Sequence, residues 1–199
     1  MKRWIVPLVL IFLTLAALCV RLYRLGDAPR GMLVDEVSFG YIAYSLVQTG
    51  KDEHGVSWPL VFRAFGDQKL PMYAYTLLPF IKYLGLNAFA TRLPSALAGT
   101  ALVLAVFWFL RLLKFSSKVS LFGSLVVVIS PWTFLLSRFS FESHLALLCF
   151  VLALCAYLKA QQTRQWKWWE IGGVLTASTW YAYIAYRVIT LLVITLYAM

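Results

Sequence analysis

Acidic residues are scarce in this chain: eight Asp and Glu stand against 18 Lys and Arg in 199 residues. Charged residues of both signs make up only 13% of the sequence, about half the share of a soluble domain, which excludes an ordinary solvated surface. Cysteine is nearly absent. Cys19, Cys149 and Cys155 all lie inside apolar runs, without metal spacing, and read as small apolar side chains rather than a disulfide framework. The two histidines, His54 and His144, stand apart with no ligand spacing, so no metal site is read here. The chain has no Gly-rich phosphate loop, nucleophile elbow or Cys/His cluster. If it is an enzyme, its donor is not held by a nucleotide-binding motif, and a lipid-carried donor fits.

What is abundant is apolar and aromatic: 62% hydrophobic residues and 17% Phe, Trp and Tyr. That composition belongs in a bilayer, with helices ending in Trp and Tyr belts. The formal net charge of +10 would point to nucleic acid in a soluble protein. Here Lys and Arg anchor short loops and the spans leave no room for a basic domain, so nucleic acid is not a partner.

The chain reads as an all-α polytopic membrane protein with about five to six transmembrane helices. A first, uncleaved span covers 4–22, with its N-terminus in the cytoplasm. Residues 23–87 form a long extracytoplasmic loop carrying juxtamembrane helices, one of them amphipathic from Glu36 to Val47 and closed by Gly50. Spans follow at 88–113, 119–136, 142–158 and 168–186, and 188–199 begins a sixth. Met199 falls inside an apolar run, so the chain reads as the N-terminal portion of a longer protein. The short inner loops hold Arg111, Lys114, Lys118, Lys159, Arg164 and Lys167 without an acid, as the positive-inside rule requires. Every acidic residue except Glu170 falls on the outer side.

The outer loops therefore collect the chemistry. Asp35 and Glu36 follow Pro29 and Gly31 at the start of the amphipathic helix. Carboxylates there are favoured by the helix dipole, and that capping role is compatible with acid/base work. Lys69 is either a snorkelling anchor or a point charge for a lipid phosphate. Arg138 shares a turn with Glu142 and His144, and serves either phosphate recognition or an Arg–Glu pair. Arg92 lies early in a span and must find a partner or a polar cavity, because an unpaired charge in lipid is costly. Tyr183 and Arg187 mark a helix end, and Arg187 has the option of facing the site.

Several of these stretches together resemble the GT-C integral-membrane glycosyltransferases, in particular the protein O-mannosyltransferase and aminoarabinose-transferase-like group (glycosyltransferase family 39-like). They are Pro29-x-Gly31 leading to Asp35-Glu36, Tyr41-x-x-Tyr44, Thr49 to Gly55 with Pro59, and Asp67-Gln68-Lys69-Leu70-Pro71-x-Tyr73. Arg92-Leu93-Pro94-Ser95-Ala96 and Ser130-Pro131-Trp132 followed by Ser137-Arg138 complete the set. The resemblance implies transfer of a sugar from a polyprenyl-phosphate carrier, dolichyl or undecaprenyl, to a protein, lipid or glycan acceptor at the extracytoplasmic face, with inversion. It implies Asp35 as general base with Glu36 beside it. Lys69 and Arg138 would meet the carrier phosphate, with Glu142 as a looser second acid and Arg92 in the same binding set. His54, His144, Tyr183 and Arg187 are further residues for the site. A prokaryotic plasma membrane is the expected location. No cofactor is implied, although Asp35, Glu36 and Glu142 could hold a divalent ion with waters. The sequence departs from the aminoarabinose-transferase type at Lys69-Leu70-Pro71, where a doubled proline is missing. The rival readings are a transporter or lipid-binding membrane protein without chemistry, and an incomplete, inactive module.

Overall fold

The computed structural model describes residues 4–198. Among them the chain is helical nearly throughout, with one small hairpin. The first helix, α1 (Ile5–Leu22), is an unbroken apolar run. Its 18 residues rise about 27 Å, close to the thickness of a bilayer core. Leu8, Ile11, Phe12 and Leu15 lie bare on one side of it, a cost in water but none in lipid.

After α1 the chain turns back over the end of the bundle. Helix α2 (Val34–Thr49) starts at the acidic pair and stops at Gly50, whose φ of +70° is the left-handed cap that glycine adopts freely. It buries Phe39, Ile42, Ala43 and Leu46 against α3 (Pro71–Leu84), whose Tyr73, Leu77 and Ile81 complete that core. Two strands not foreseen from the sequence lie between these helices. β1 (Phe62–Ala64) pairs antiparallel with β2 (Asp67–Lys69), and Phe62 stands opposite Lys69. Phe65 and Gly66 make the two-residue turn, both at positive φ, the backbone twist such hairpins need.

Helix α4 (Ala88–Leu112) is the central post. Asn87 caps it by accepting from the Ala90 N–H at 2.9 Å, and it touches every helix from α1 to α7. The crossing expected at 119–136 is broken. α5 (Ser117–Ile129) and α6 (Pro131–Ser137) meet at a 56° bend. Pro131 has no N–H to continue the ladder and drives Ser130 to extended backbone, so the bend has a local cause. Helix α7 (Glu142–Thr163) begins where expected and runs five residues further than 142–158, ending at Arg164 in the left-handed region. α8 (Trp166–Ala182) and α9 (Ala185–Ala198) are separated at Tyr183, again extended, so the span placed at 168–186 ends four residues early.

On length and apolarity α1, α4 and α7 suffice to cross a membrane, and the bent α5–α6 pair makes a fourth if it is one span. The two ends of the bundle differ. One end gathers α2, the hairpin, α3, the α6–α7 turn and the close of α1. At the other, Gln162 donates to the Leu112 carbonyl at 2.7 Å and Trp108 meets Trp168 edge-on, beside Arg111, Lys114 and Lys167. An apolar cleft of about 480 Å³ runs among α4, α7, α8 and α9, lined by Phe109, Phe150, Leu154, Tyr157 and Trp169. It lies on the basic-loop side of the bundle and not beside Asp35.

Candidate active site

The adjacent carboxylates at the start of α2 have different surroundings. Successive residues of a helix point about 100° apart. Glu36 therefore turns into the bundle, where it is 1% exposed, while the Asp35 side chain stays 46% exposed.

Glu36 is saturated with donors. Arg92 forks onto it with Nε at 2.8 Å and a terminal nitrogen at 3.0 Å. The N–H groups of Leu33 at 3.0 Å and Ser140 at 3.1 Å complete its shell, the first of these closing the helix N-terminus. Burial alone would raise the Glu36 carboxyl. Arg92 and the two backbone donors more than offset that and hold it below the ordinary glutamate range.

Arg92 is equally well occupied. Besides Glu36 it donates to the carbonyls of Leu25, Pro29 and Gly31 at 3.1, 3.0 and 2.6 Å, so all five of its N–H bonds have acceptors. Arg138, just past α6, faces five more carbonyls, those of Val20, Arg21, Tyr23, Arg24 and Ala28, at 2.6–3.2 Å. Two arginines from distant parts of the chain thus grip the whole connection between α1 and α2.

Asp35 meets the hairpin. Lys69 Nζ bonds its carboxylate and lies 3.3 Å from Asp67. The ammonium also sits 5.9 Å from the centre of the Phe39 ring. Burial lowers the Lys69 ammonium's affinity for its proton, but Asp35 and Asp67 outweigh it and hold the group above the usual lysine range. Glu142 stands half-buried at the start of α7, at the same end of the bundle. The surface end thus holds a lysine among carboxylates, with Asp35 open to solvent.

The remaining residues singled out from the sequence lie elsewhere. His54 is exposed beyond the hairpin and contacts the Arg63 carbonyl at 3.0 Å. His144 is buried against Arg21, Gly99 and Ser137. Tyr183 packs near Tyr186 at the α8–α9 break, and exposed Arg187 reaches only the Trp180 carbonyl, at 3.4 Å. Among the described residues no three His, Cys, Asp or Glu side chains come together as a metal-ligand set. Sequence reasoning had not singled out Asp67 or Ser140. Asp67 was visible in the stretch before Lys69, whereas nothing local marks Ser140.

Helices exposing apolar flanks, with a buried ion pair and an accessible acid–lysine cluster at one end, define an integral-membrane protein with a polar site at one end of its bundle. The family described as dolichyl-phosphate-mannose-protein mannosyltransferase matches residues 11–197, and the chain belongs to it. The protein is a membrane glycosyltransferase of the class that uses polyprenyl-phosphate sugar donors. No curated protein and no solved structure matches the chain.

Proposed function

We propose that the chain transfers a sugar, with inversion, from a polyprenyl-phosphate donor to a hydroxyl acceptor on the extracytoplasmic side of a prokaryotic plasma membrane. Asp35 takes the proton from the acceptor hydroxyl as that oxygen bonds to the anomeric carbon. The bond from the anomeric carbon to the donor phosphate breaks on the opposite face, and the polyprenyl phosphate departs with the electron pair. Lys69, charged at neutral pH, stabilises that departing phosphate. Glu36, Arg92 and Arg138 are positioning residues on this reading. Their hydrogen-bonding capacity is taken up within the chain, and they fix the backbone that presents Asp35. Glu142 shapes the potential around Lys69. A protein hydroxyl is the favoured acceptor, following the family's description.

The single observation that carries this reading is the contact between half-exposed Asp35 and nearly buried Lys69, a base and a cation on separate elements at one end of the bundle. A shallow groove along Leu60, Met72, Tyr75 and Tyr181 opens beside the same end and offers a lipid-linked donor a way in.

The test is transfer from a panel of radiolabelled polyprenyl-phosphate sugars in membranes, beside Asp35→Asn. The variant is expected to insert and fold normally and to lose transfer by about 10²–10⁴-fold, the usual contribution of a general base. Turnover at the wild-type rate by Asp35→Asn would remove the base assignment. Flux of donor across vesicles without transfer would favour the transporter reading.

A further inference from the structure

Below the surface site, α1, α4, α6 and α7 meet at a second polar cluster that the transfer reaction does not use. Arg21, in the last turn of α1, is fully buried. It donates only two long bonds, 3.4 Å to the Ala17 carbonyl and 3.2 Å to the Val127 carbonyl, and its Nε has no partner. Among the described residues no carboxylate lies within ion-pair distance of it. His144 of α7 is 1% exposed, and neither of its ring nitrogens is hydrogen-bonded. These groups converge. A methyl group built on Gly99 of α4 would stand 2.7 Å from His144 Nε2, 2.9 Å from Arg21 Nε and 2.7 Å from Ser137 Cβ. Glycine is required at position 99 because the space beside it belongs to these three side chains.

Orphaned buried polar atoms are rare because each gives up its hydration without a partner in return. Two of them, Arg21 Nε and His144 Nε2, face one point beside Gly99 and call for a shared partner, and their chemistry says which. Arg21 Nε–H can only donate. A neutral imidazole has one nitrogen that donates and one that accepts. Ser137 donates its hydroxyl proton to the Phe134 carbonyl at 2.7 Å and keeps acceptor capacity. A halide or carboxylate could meet His144 Nε2 only where that nitrogen carries the proton. A water suits Nε2 in either tautomer and accepts from Arg21 as well.

We infer that Arg21, His144 and Ser137 hold one buried water molecule at this four-helix junction. The water accepts from Arg21, bonds His144 Nε2 and has a further bond to give Ser137, within the two to four partners that buried waters take. It joins α1 to α7 directly beneath the carbonyls that Arg138 grips, and it stands independently of the transfer reaction.

The experiment compares the thermal unfolding midpoint of the wild-type protein and His144→Phe in detergent or nanodiscs. Phenylalanine keeps the ring's bulk and removes both nitrogens. With the water present, the variant strands Arg21 and the midpoint falls by several degrees. In a dry junction the variant relieves two orphaned atoms and the midpoint stays or rises, which would overturn the inference. Hydroxyl-radical footprinting in ¹⁸O-water is the second measurement, made on the wild type, so it does not depend on the variant folding. A resident water makes buried His144 incorporate ¹⁸O alongside exposed His54. Labelling of His54 with none at His144 would overturn the inference.

Discussion

At the level of single residues, what separates Asp35 from Glu36 is the angle between neighbours on a helix. One carboxylate is committed to architecture and the other is left open to solvent. Removing one member of a buried ion pair leaves a charge without its partner, at a cost of about 3–5 kcal/mol. Glu36→Gln is therefore expected to lose stability on that scale, measured as chemical or thermal unfolding in detergent. The pH sense follows from the direction of its shift. The Glu36 carboxyl is lower in the folded protein than the ordinary value, so its contribution is complete above the ordinary glutamate range. It is lost as pH falls through the lower, folded value. The wild type should lose stability on acidification in that window, and Glu36→Gln should show a flatter profile there. An unchanged profile would mean that Arg92 is held by its three carbonyls alone.

At the level of elements, the sequence disclosed needs more readily than partners. That Arg92 required a partner was legible from its place early in an apolar helix. That the partner is Glu36, 56 positions away, was not, because only the fold brings α2 over the start of α4. The helices of 4–22 and 88–113 were plain from long apolar runs, whose charges (Arg21, Arg92 and Arg111) fall near the ends. The run 119–136 reads as one straight crossing, and the 56° bend after Ile129 was not foreseen, though Ser130-Pro131 carries its cause. The hairpin was invisible for a different reason. Its strands have three residues each, too few for a period-two pattern, and its turn uses Phe65 at a φ of 52°, where Asn or Gly is the usual signal. Lys69 reaches Asp35 because that hairpin ends there, so its position rested on family resemblance and not on spacing.

At the level of the whole molecule, charge is partitioned between the two ends. Arg111, Lys114, Lys118 and Lys167 lie by the loops at one end, and the Asp35–Lys69–Asp67 cluster lies at the other. With the basic loops inside the cell, a cysteine replacing exposed Phe65 is expected to react with a membrane-impermeant maleimide on intact cells. One replacing Lys114 should react only after permeabilisation. The opposite pattern would invert the proposed orientation and place the chemistry on the cytoplasmic face.

On the proposed mechanism, the Lys69–Asp35 contact also imposes a sequence in time. While the ammonium rests on the carboxylate, the base is engaged and cannot readily accept a proton. The donor's phosphodiester carries one negative charge, as the carboxylate does, so an arriving donor competes with Asp35 for that ammonium. Capturing Lys69 releases Asp35, so the donor arms the base that its own reaction needs. An acceptor that arrives first meets a masked carboxylate. Initial-rate kinetics should then show donor binding before acceptor, and random order would mean that the two side chains part without help. Such an interlock leaves the base masked until a phosphate reaches Lys69.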